Sequence, residues 1–217
     1  MQTESHDEVE LQNRYGAIMR SLSGDTHIQI RDWQLFHKSL TLNALAPHLN
    51  FNYLQASWAH PRGVLDGVAL RLRYSDYELH LSHSPNGLLE SLVFEVLEQM
   101  RVESICPNGL KGSKQNVENQ FIAWLQEFMA NGGVEGSIGL LLLSVFSTVW
   151  VKLNQRPIPE LMQDIVEATR AGLAEGLGPY LVKLKASQYD QASYAKTSLE
   201  ITRLISNLID AEYQNVP

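Results

Sequence analysis

From residue 86 onward the chain repeats its apolar residues at helical spacing, in segments separated by short stretches rich in Gly, Pro and Asn. Such stretches end helices. A chain with apolar residues every three or four positions can bury them only by packing helix against helix. The sequence therefore predicts a mainly α fold, one helical domain over residues 1–217 with at most a small β-hairpin or short strands. The predicted helices cover residues 86–105, 114–130, 136–153, 158–175, 179–187 and 190–213.

The first 85 residues have a more mixed pattern. Residues 5–22 have helical spacing, residues 26–33 alternate polar and apolar side chains as in a short strand, and residues 33–45 return to helical spacing. Residues 62–83 fit two structures, a hairpin that turns at Ser75-Asp76 or a helix that starts after Pro61. Periodicity alone leaves both open.

Charge and composition exclude several classes of partner. The formal net charge is -7, which is a poor match to nucleic acid or to an anionic membrane surface. The most apolar run, residues 138–151, is shorter than the roughly 20 residues that a membrane span needs. The N-terminal residues are polar and acidic, unlike a secretory signal. We therefore expect a cytoplasmic protein that binds neither nucleic acid nor membrane.

Charged residues interrupt the apolar side of the helix that contains the stretch FEVLEQMRVES. With successive residues 100° apart, Arg101 falls between Leu97 and Phe94, and Glu103 falls at the other flank of the apolar arc. Glu98 precedes Arg101 by three residues and is within pairing reach. Because burial of a lone charge costs several kcal/mol, such residues are paired or have a task. We consider three roles: an ion pair that fixes helix docking, a groove for a partner or an anionic ligand, and catalysis by paired carboxylates.

A second group of charges precedes this helix. Arg62 and Asp66 are four residues apart, and Arg71 and Arg73 flank Leu72. These arginines are natural partners for the glutamates of the EQMRVE stretch. We therefore expect a polar network that shapes the domain or forms a contact surface; its members are Arg62, Asp66, Arg71, Arg73, Glu98, Arg101 and Glu103.

The sequence offers few groups for catalysis or metal binding. It has no phosphate-binding Gly-rich motif and no Gly-x-Ser-x-Gly elbow, and Cys106 is its single cysteine. His80 and His83 are the candidates for a metal site, which needs three or four ligands. We expect no catalytic residue and no metal site, with these two histidines as the alternative.

Three motifs in order resemble a known family. They are RGVLD at 62–66, ALRLR at 69–73 and LEQMRVE at 97–103, followed by Gly112 and Asn116 in a Gly-x-x-x-Asn spacing. Together they resemble the N-terminal region of the CobT-type subunit of aerobic cobaltochelatase. The motif-bearing part spans residues 60–117. The nitric-oxide-reductase activation protein of the NorD type has a similar helix, so the wider group is the partners of MoxR-type AAA+ ATPases.

The resemblance implies a subunit of a machine that inserts Co²⁺ into a corrin ring during cobalamin biosynthesis. In that family a large subunit carries the tetrapyrrole, an AAA+ subunit hydrolyses ATP, and the CobT-type subunit is similar to an adaptor. The implied complex, of ligase type, uses Co²⁺ and ATP with Mg²⁺. We expect this domain to be non-catalytic by itself and to bind no cofactor, and a homo-oligomer stays open. The alternatives are a NorD-like adaptor and a small metal- or tetrapyrrole-handling enzyme domain that uses His80 and His83.

The chain departs from the family pattern in two places. No acidic linker and no Asp-x-Ser-x-Ser motif of a von Willebrand factor A domain is found up to Pro217, so we expect an isolated N-terminal domain or a shortened relative. The histidine-rich continuation of the family after Leu-Arg is replaced here by Tyr74-Ser75-Asp76. The family's alanine-rich version of residues 64–73 favours helix over hairpin.

Overall fold

The computed structural model describes residues 6–38, 40–41, 46–50 and 61–214. The chain divides into two compact units. Unit 1 consists of Met1–Ser75 and Cys106–Phe121, and unit 2 consists of Asp76–Ile105 and Ile122–Pro217. Helices dominate the described residues, and the prediction of a mainly α fold with a small β element is confirmed. The assignment of residues 1–217 to one domain stays a prediction.

Unit 1 is built on two helices and a small sheet. Helix α1 (His6–Ser23) buries Gln12, Gly16 and Met19, which recur at helical spacing on one face. This helix packs against helix α2 (Pro61–Tyr74) and against the first strand. Buried apolar residues of unit 1 pack together in a core, which consists of Met19, Ile28, Ile30, Leu35, Leu49, Val64, Leu65 and Val68.

The sheet of unit 1 has three antiparallel strands in the order β1-β2-β3, namely β1 (Ile28–Arg31), β2 (Gln34–His37) and β3 (Leu40–Thr41). In β1 the buried residues Ile28 and Ile30 alternate with exposed ones, so one face covers the core and the other faces water. The strand predicted within residues 26–33 is therefore confirmed. A 3-10 turn at Pro47–Leu49 follows.

The helix predicted over residues 33–45 is wrong where the structure describes it. Asp32 and Trp33 have φ values of 49° and 57°, and Arg31 pairs with Gln34 across them. Two successive left-handed residues form the tight turn whose twist suits a hairpin. The turn therefore sends residues 34–37 back along β1. Helical spacing of the apolar residues does not reveal such a turn, and residues 39 and 42–45 lie outside the described part.

The ambiguous segment 62–83 is two helices, α2 and α3 (Tyr77–His83). Asp76 is the N-cap of α3, and its side chain accepts a hydrogen bond from the backbone N–H of Leu79 at 3.0 Å. An aspartate in this position satisfies one of the free donors of a helix N-terminus. Ser75-Asp76 therefore separates two helices and does not turn a hairpin.

Unit 2 contains α3 and five longer elements. These are α4 (Leu88–Ser104), the part of α5 (Lys111–Ala130) from Ile122 onward, α6 (Ser137–Asn154), α7 (Glu160–Ala186) and α8 (Gln191–Gln214). Helix α4 packs against α6 and α8, and α7 packs against α6 and α8. Their buried apolar faces form the core of the unit, including Val93, Phe94, Leu97, Met100, Phe146, Trp150, Leu184, Tyr194, Ile201 and Ile205.

Helix α7 is continuous where the sequence predicts two helices. Pro179 lies inside it. A proline in a helix interior removes one hydrogen bond and clashes with the preceding turn. Pro179 is exposed, while Leu177 and Leu184 are buried. The apolar side of α7 thus keeps its packing on both sides of the proline, and the helix does not end at Gly176.

Helix α6 contains the most apolar run of the sequence. Among the described residues it is one helix whose length and hydropathy would suffice to cross a membrane. That finding carries little weight, because a core helix of a soluble protein passes the same test, and 44% of the 18-residue stretch is buried inside the structure.

Candidate functional site

The charged residues of the EQMRVE stretch are buried in α4. The Arg101 side chain is only 2% exposed, and Glu98 and Glu103 are also buried. The Arg101 guanidinium donates from Nε to Glu98 Oε2 at 2.8 Å and from Nη2 to Glu98 Oε1 at 2.7 Å. This bidentate geometry is the strong form of an arginine–carboxylate contact. Arg101, which intrudes on the apolar side of the helix, is therefore paired with Glu98.

The same guanidinium reaches the segment between α7 and α8. Its Nη1 donates to the backbone carbonyl of Gln188 at 3.4 Å. One turn away, the buried hydroxyl of Tyr194 in α8 donates to the carbonyl of Leu97 at 3.0 Å. These contacts connect α4 with the start of α8 through polar groups. They join the two helices through hydrogen bonds that are buried or partly buried.

Burial and charge act on the Tyr194 hydroxyl. Burial raises its pKa well above the ordinary value, and the Glu98 carboxylate raises the pKa further by disfavouring a second negative charge. The positive charge of Arg101 acts in the opposite direction. Tyr194 is therefore a neutral donor inside the protein, and it serves docking rather than proton transfer.

Glu103, the third charged residue of the stretch, has a partner on its own helix. The Gln99 side-chain amide donates to Glu103 Oε1 at 2.9 Å, and both residues are buried. A buried carboxylate that accepts a hydrogen bond avoids part of the cost of leaving water. Gln99 was not among the predicted site residues, although its i, i+4 spacing to Glu103 signals the contact.

Unit 1 holds the second group of charges. The guanidinium of Arg62 donates from Nη2 to Asp66 Oδ1 at 3.0 Å, and the Asn116 amide donates to Asp66 Oδ2 at 2.7 Å. Asp66 is fully buried. Its carboxylate therefore links α2 to α5, and this contact joins the RGVLD stretch to the asparagine of the Gly-x-x-x-Asn spacing.

Gly63 allows this approach of the two helices. A Cβ atom at this position would lie 2.4 Å from Gln120 Cβ and 2.6 Å from the Asn116 carbonyl oxygen. Real Cβ atoms do not approach other atoms so closely. The absence of a side chain at residue 63 thus brings Asn116 within hydrogen-bonding distance of Asp66.

The two arginines of the ALRLR stretch have different environments. Arg71 is buried, whereas Arg73 is exposed and donates to the backbone carbonyl of Leu22 at 2.9 Å. Arg73 also lies over the ring of Tyr74, 5.5 Å from its centroid. Since residues 62–73 belong to unit 1 and residues 98–103 to unit 2, a single network of all seven charged residues stays a prediction.

His80 and His83 have separate surroundings within unit 2. His80 Nε2 lies 2.6 Å from Glu95 Oε2, and the His80 ring stacks on Phe94 with centroids 4.9 Å apart. His83 Nδ1 lies 3.0 Å from the carbonyl oxygen of Leu79. Among the described residues, no group of three or more His, Cys, Asp or Glu side chains could hold a metal ion.

Sequence reasoning did not identify several of the polar partners. Three of them are Glu95, Gln188 and Tyr194. Each is 15 or more residues away from its partner along the chain. Only folding brings Tyr194 to Leu97, which is 97 residues away.

Comparison with known proteins identifies one family. The family model described as "Cobalamin biosynthesis protein CobT" matches residues 10–213. Neither the search of curated proteins nor the search of solved structures gave a match. The family match includes every motif on which the resemblance rests and extends through both units. The chain belongs to the family of the cobalamin biosynthesis protein CobT, and its role lies in cobalamin biosynthesis.

Proposed function

We propose that this chain is a non-catalytic, adaptor-type domain of a CobT-like cobaltochelatase subunit, which supports ATP-dependent insertion of Co²⁺ into a corrin ring. The family match over residues 10–213 is the observation that carries the proposal, since CobT membership implies a part of a multi-subunit cobaltochelatase. In this proposal Co²⁺ is the cargo of the complex, and ATP with Mg²⁺ is used by the partner ATPase. The location is cytoplasmic.

The geometry of the charged groups supports an adaptor over an enzyme. Glu98 and Arg101 neutralise each other, and Asp66 is held between Arg62 and Asn116. General acid–base catalysis needs a group that can reach a substrate and exchange a proton with it. Buried ion pairs instead hold helices in a defined arrangement, which a protein that docks between two others requires.

Co-purification tests the adaptor proposal. The full chain, tagged and expressed with the AAA+ ATPase subunit and the large tetrapyrrole-binding subunit, should recover both in stoichiometric amount. Recovery of neither partner, from a sample whose circular dichroism shows a folded helical protein, would contradict it. Recovery of a MoxR-type ATPase in place of the cobaltochelatase ATPase would favour the NorD-like alternative.

The metal-handling alternative draws on His80 and His83. Their contacts with Glu95 and with the Leu79 carbonyl oxygen are internal to unit 2. The two rings have different partners in these contacts, and no observation favours this alternative over the adaptor.

A further inference from the structure

Two exposed tyrosines lie beside a hydrogen-bonded junction in unit 2. The backbone N–H of Asp76 donates to Gln191 Oε1 at 2.7 Å, and Gln191 Nε2 donates to the carbonyl of Asp76 at 2.9 Å. Tyr77 directly follows the first of these residues, and Tyr189 precedes the second by two positions. The reciprocal bonds therefore hold the start of α3 and the start of α8 side by side. Tyr77 is 67% exposed and Tyr189 is 77% exposed.

Buried side chains of α4 and α8 also stabilise this junction. Arg101, held by Glu98, donates to the carbonyl of Gln188, which is the residue before Tyr189. Tyr194 anchors the first turn of α8 to α4 through the Leu97 carbonyl. The segment that carries Tyr189 is thus fixed by buried contacts, although its aromatic ring faces water. A large aromatic ring on a rigid support is typical of a residue that anchors a protein interface.

The neighbouring side chains give the surface a negative charge. Leu81 is exposed one helical turn after Tyr77 on α3, Glu78 is exposed next to Tyr77 in the sequence, and Asp190 is exposed beside Tyr189. Asp190 accepts hydrogen bonds from the backbone and the hydroxyl of Ser193. The basic residue whose charge reaches Asp190 is Lys196 in the second turn of α8. We call Tyr77, Glu78, Leu81, Tyr189 and Asp190 the tyrosine surface.

Unit 2 as a whole carries the same sign of charge. It contains eight Lys and Arg residues against sixteen Asp and Glu residues, whereas unit 1 contains nine against eight. The tyrosine surface, with its own carboxylates Glu78 and Asp190, therefore belongs to a unit whose formal net charge is -8. Electrostatic complementarity favours a positively charged partner and raises its association rate.

We propose that the tyrosine surface docks a segment of a partner protein in which Arg or Lys alternates with apolar side chains. The tyrosine rings offer a face for the cation and the apolar contact, and Glu78 and Asp190 offer carboxylates to the same cation. A second copy of unit 2 is disfavoured as the occupant, because its formal net charge has the same sign. The inference rests on the proposed adaptor function and names the surface and the partner chemistry.

The main experiment uses the full chain in the co-purification described above. The double variant Tyr77→Ser/Tyr189→Ser should recover at least about tenfold less of one partner than the unchanged chain, since exposed aromatic anchors carry most of the energy of an interface. The matched control is Leu88→Ser/Val182→Ser, which removes two exposed apolar side chains elsewhere in unit 2 and should leave recovery unchanged. If the chain recovers its partners and the tyrosine variant recovers them equally well, the inference is wrong and the adaptor function stands.

A peptide probe tests the surface without the partners. A labelled 12-residue peptide of alternating Arg and Leu should bind the full chain in fluorescence anisotropy, and a Glu–Leu peptide should not. The variant Glu78→Gln/Asp190→Asn should weaken binding more than the control Glu200→Gln/Asp210→Asn, which removes the same charge from α8. Equal weakening in the two variants would overturn the inference. If the full chain recovers no partner, the adaptor proposal is wrong. The peptide comparison then tests the binding role of the tyrosine surface by itself.

Discussion

At the scale of single residues, Arg101 is a buried charged side chain that connects two segments of unit 2. Its guanidinium contacts Glu98 on its own helix and the Gln188 carbonyl on the segment before α8. The desolvation of both charges is costly, and the pair is kept only because both oxygens of the carboxylate are matched by donors. Removal of either partner leaves the other charge buried.

The first prediction concerns Arg101→Ala. We expect the free energy of unfolding to fall by about 3–5 kcal/mol, because Glu98 is then buried without its partner. Urea unfolding followed by circular dichroism measures the change.

The matched control for Arg101 is Arg203, which pairs with Glu200 at the same i, i+3 spacing but is 68% exposed. Arg203→Ala should change the free energy of unfolding by less than about 0.5 kcal/mol, since exposed ion pairs are worth little. A loss in Arg101→Ala no larger than in Arg203→Ala would contradict the structural role of the buried pair.

The second prediction concerns pH and Tyr194. Burial and the Glu98 charge raise the pKa of Tyr194 in the folded protein. Above about pH 10, the ordinary tyrosine pKa, the unfolded chain releases this proton while the folded chain keeps it. The unfolded state then binds fewer protons, so the free energy of unfolding falls as the pH rises, and the contribution is fully present below that pH.

Tyr194→Phe separates this effect from that of the other tyrosines. It removes the titrating hydroxyl, so stability should fall less steeply between pH 9 and pH 11, values chosen to bracket the ordinary pKa of about 10. At neutral pH the same variant should lose about 0.5–1.5 kcal/mol, since the hydrogen bond to Leu97 is absent. An unchanged slope of stability against pH in Tyr194→Phe would show that this hydroxyl does not titrate as proposed.

At the scale of elements, the approach of α2 to α5 in unit 1 gives the third prediction. Gly63→Ala adds a Cβ atom 2.4 Å from Gln120 Cβ. We expect a loss of about 1–3 kcal/mol from overpacking, reduced by the roughly 1 kcal/mol that alanine gains over glycine in a helix.

Gly112 is the control for Gly63. It lies in α5 with no atom within 4 Å of an added Cβ, so Gly112→Ala should be neutral or stabilising by up to about 1 kcal/mol. Thermal unfolding of the two variants side by side measures the difference. Equal stability of the two variants would show that the two helices can separate without cost.

The elements also show where sequence reasoning succeeds. The apolar periods of α1, α4, α6 and α8 are long and regular, and the structure has helices at those places. The spacing of apolar residues predicted the wrong structure at residues 33–45, where the left-handed residues Asp32 and Trp33 reverse the chain. The predicted helix end at Gly176 to Pro179 was also wrong, because the helix continues there and packs on α8. In both places a tertiary contact or a turn outweighs the local preference.

At the scale of the whole molecule, charge is distributed unevenly along the chain. Unit 1 has nine basic and eight acidic residues and is close to neutral, so the net negative charge of the sequence comes from unit 2. Association of unit 2 with a basic partner should therefore depend on ionic strength, because exposed charges are screened beyond about 8 Å at physiological salt.

The fourth prediction concerns metal binding by the full chain. Calorimetric titration with Co²⁺ and with Zn²⁺ should give no saturable heat, since the described residues hold no group of ligands for a metal ion. Binding of one equivalent that disappears in His80→Ala would favour the metal-handling alternative over the adaptor. His83→Ala and the exposed His27→Ala are the comparison variants.

The sequence by itself determined the helical class of this protein, the place of most helices and the family, because periodicity and short motifs are local properties of the chain. It also showed that Arg101 and Glu98 are three residues apart on one helix and so within pairing reach. Tertiary structure decided the contacts between segments. The Tyr194 hydroxyl on the Leu97 carbonyl, Asn116 on Asp66, and the exposure of Tyr77 and Tyr189 at one junction depend on helix packing. No local pattern of the sequence encodes which distant segments meet.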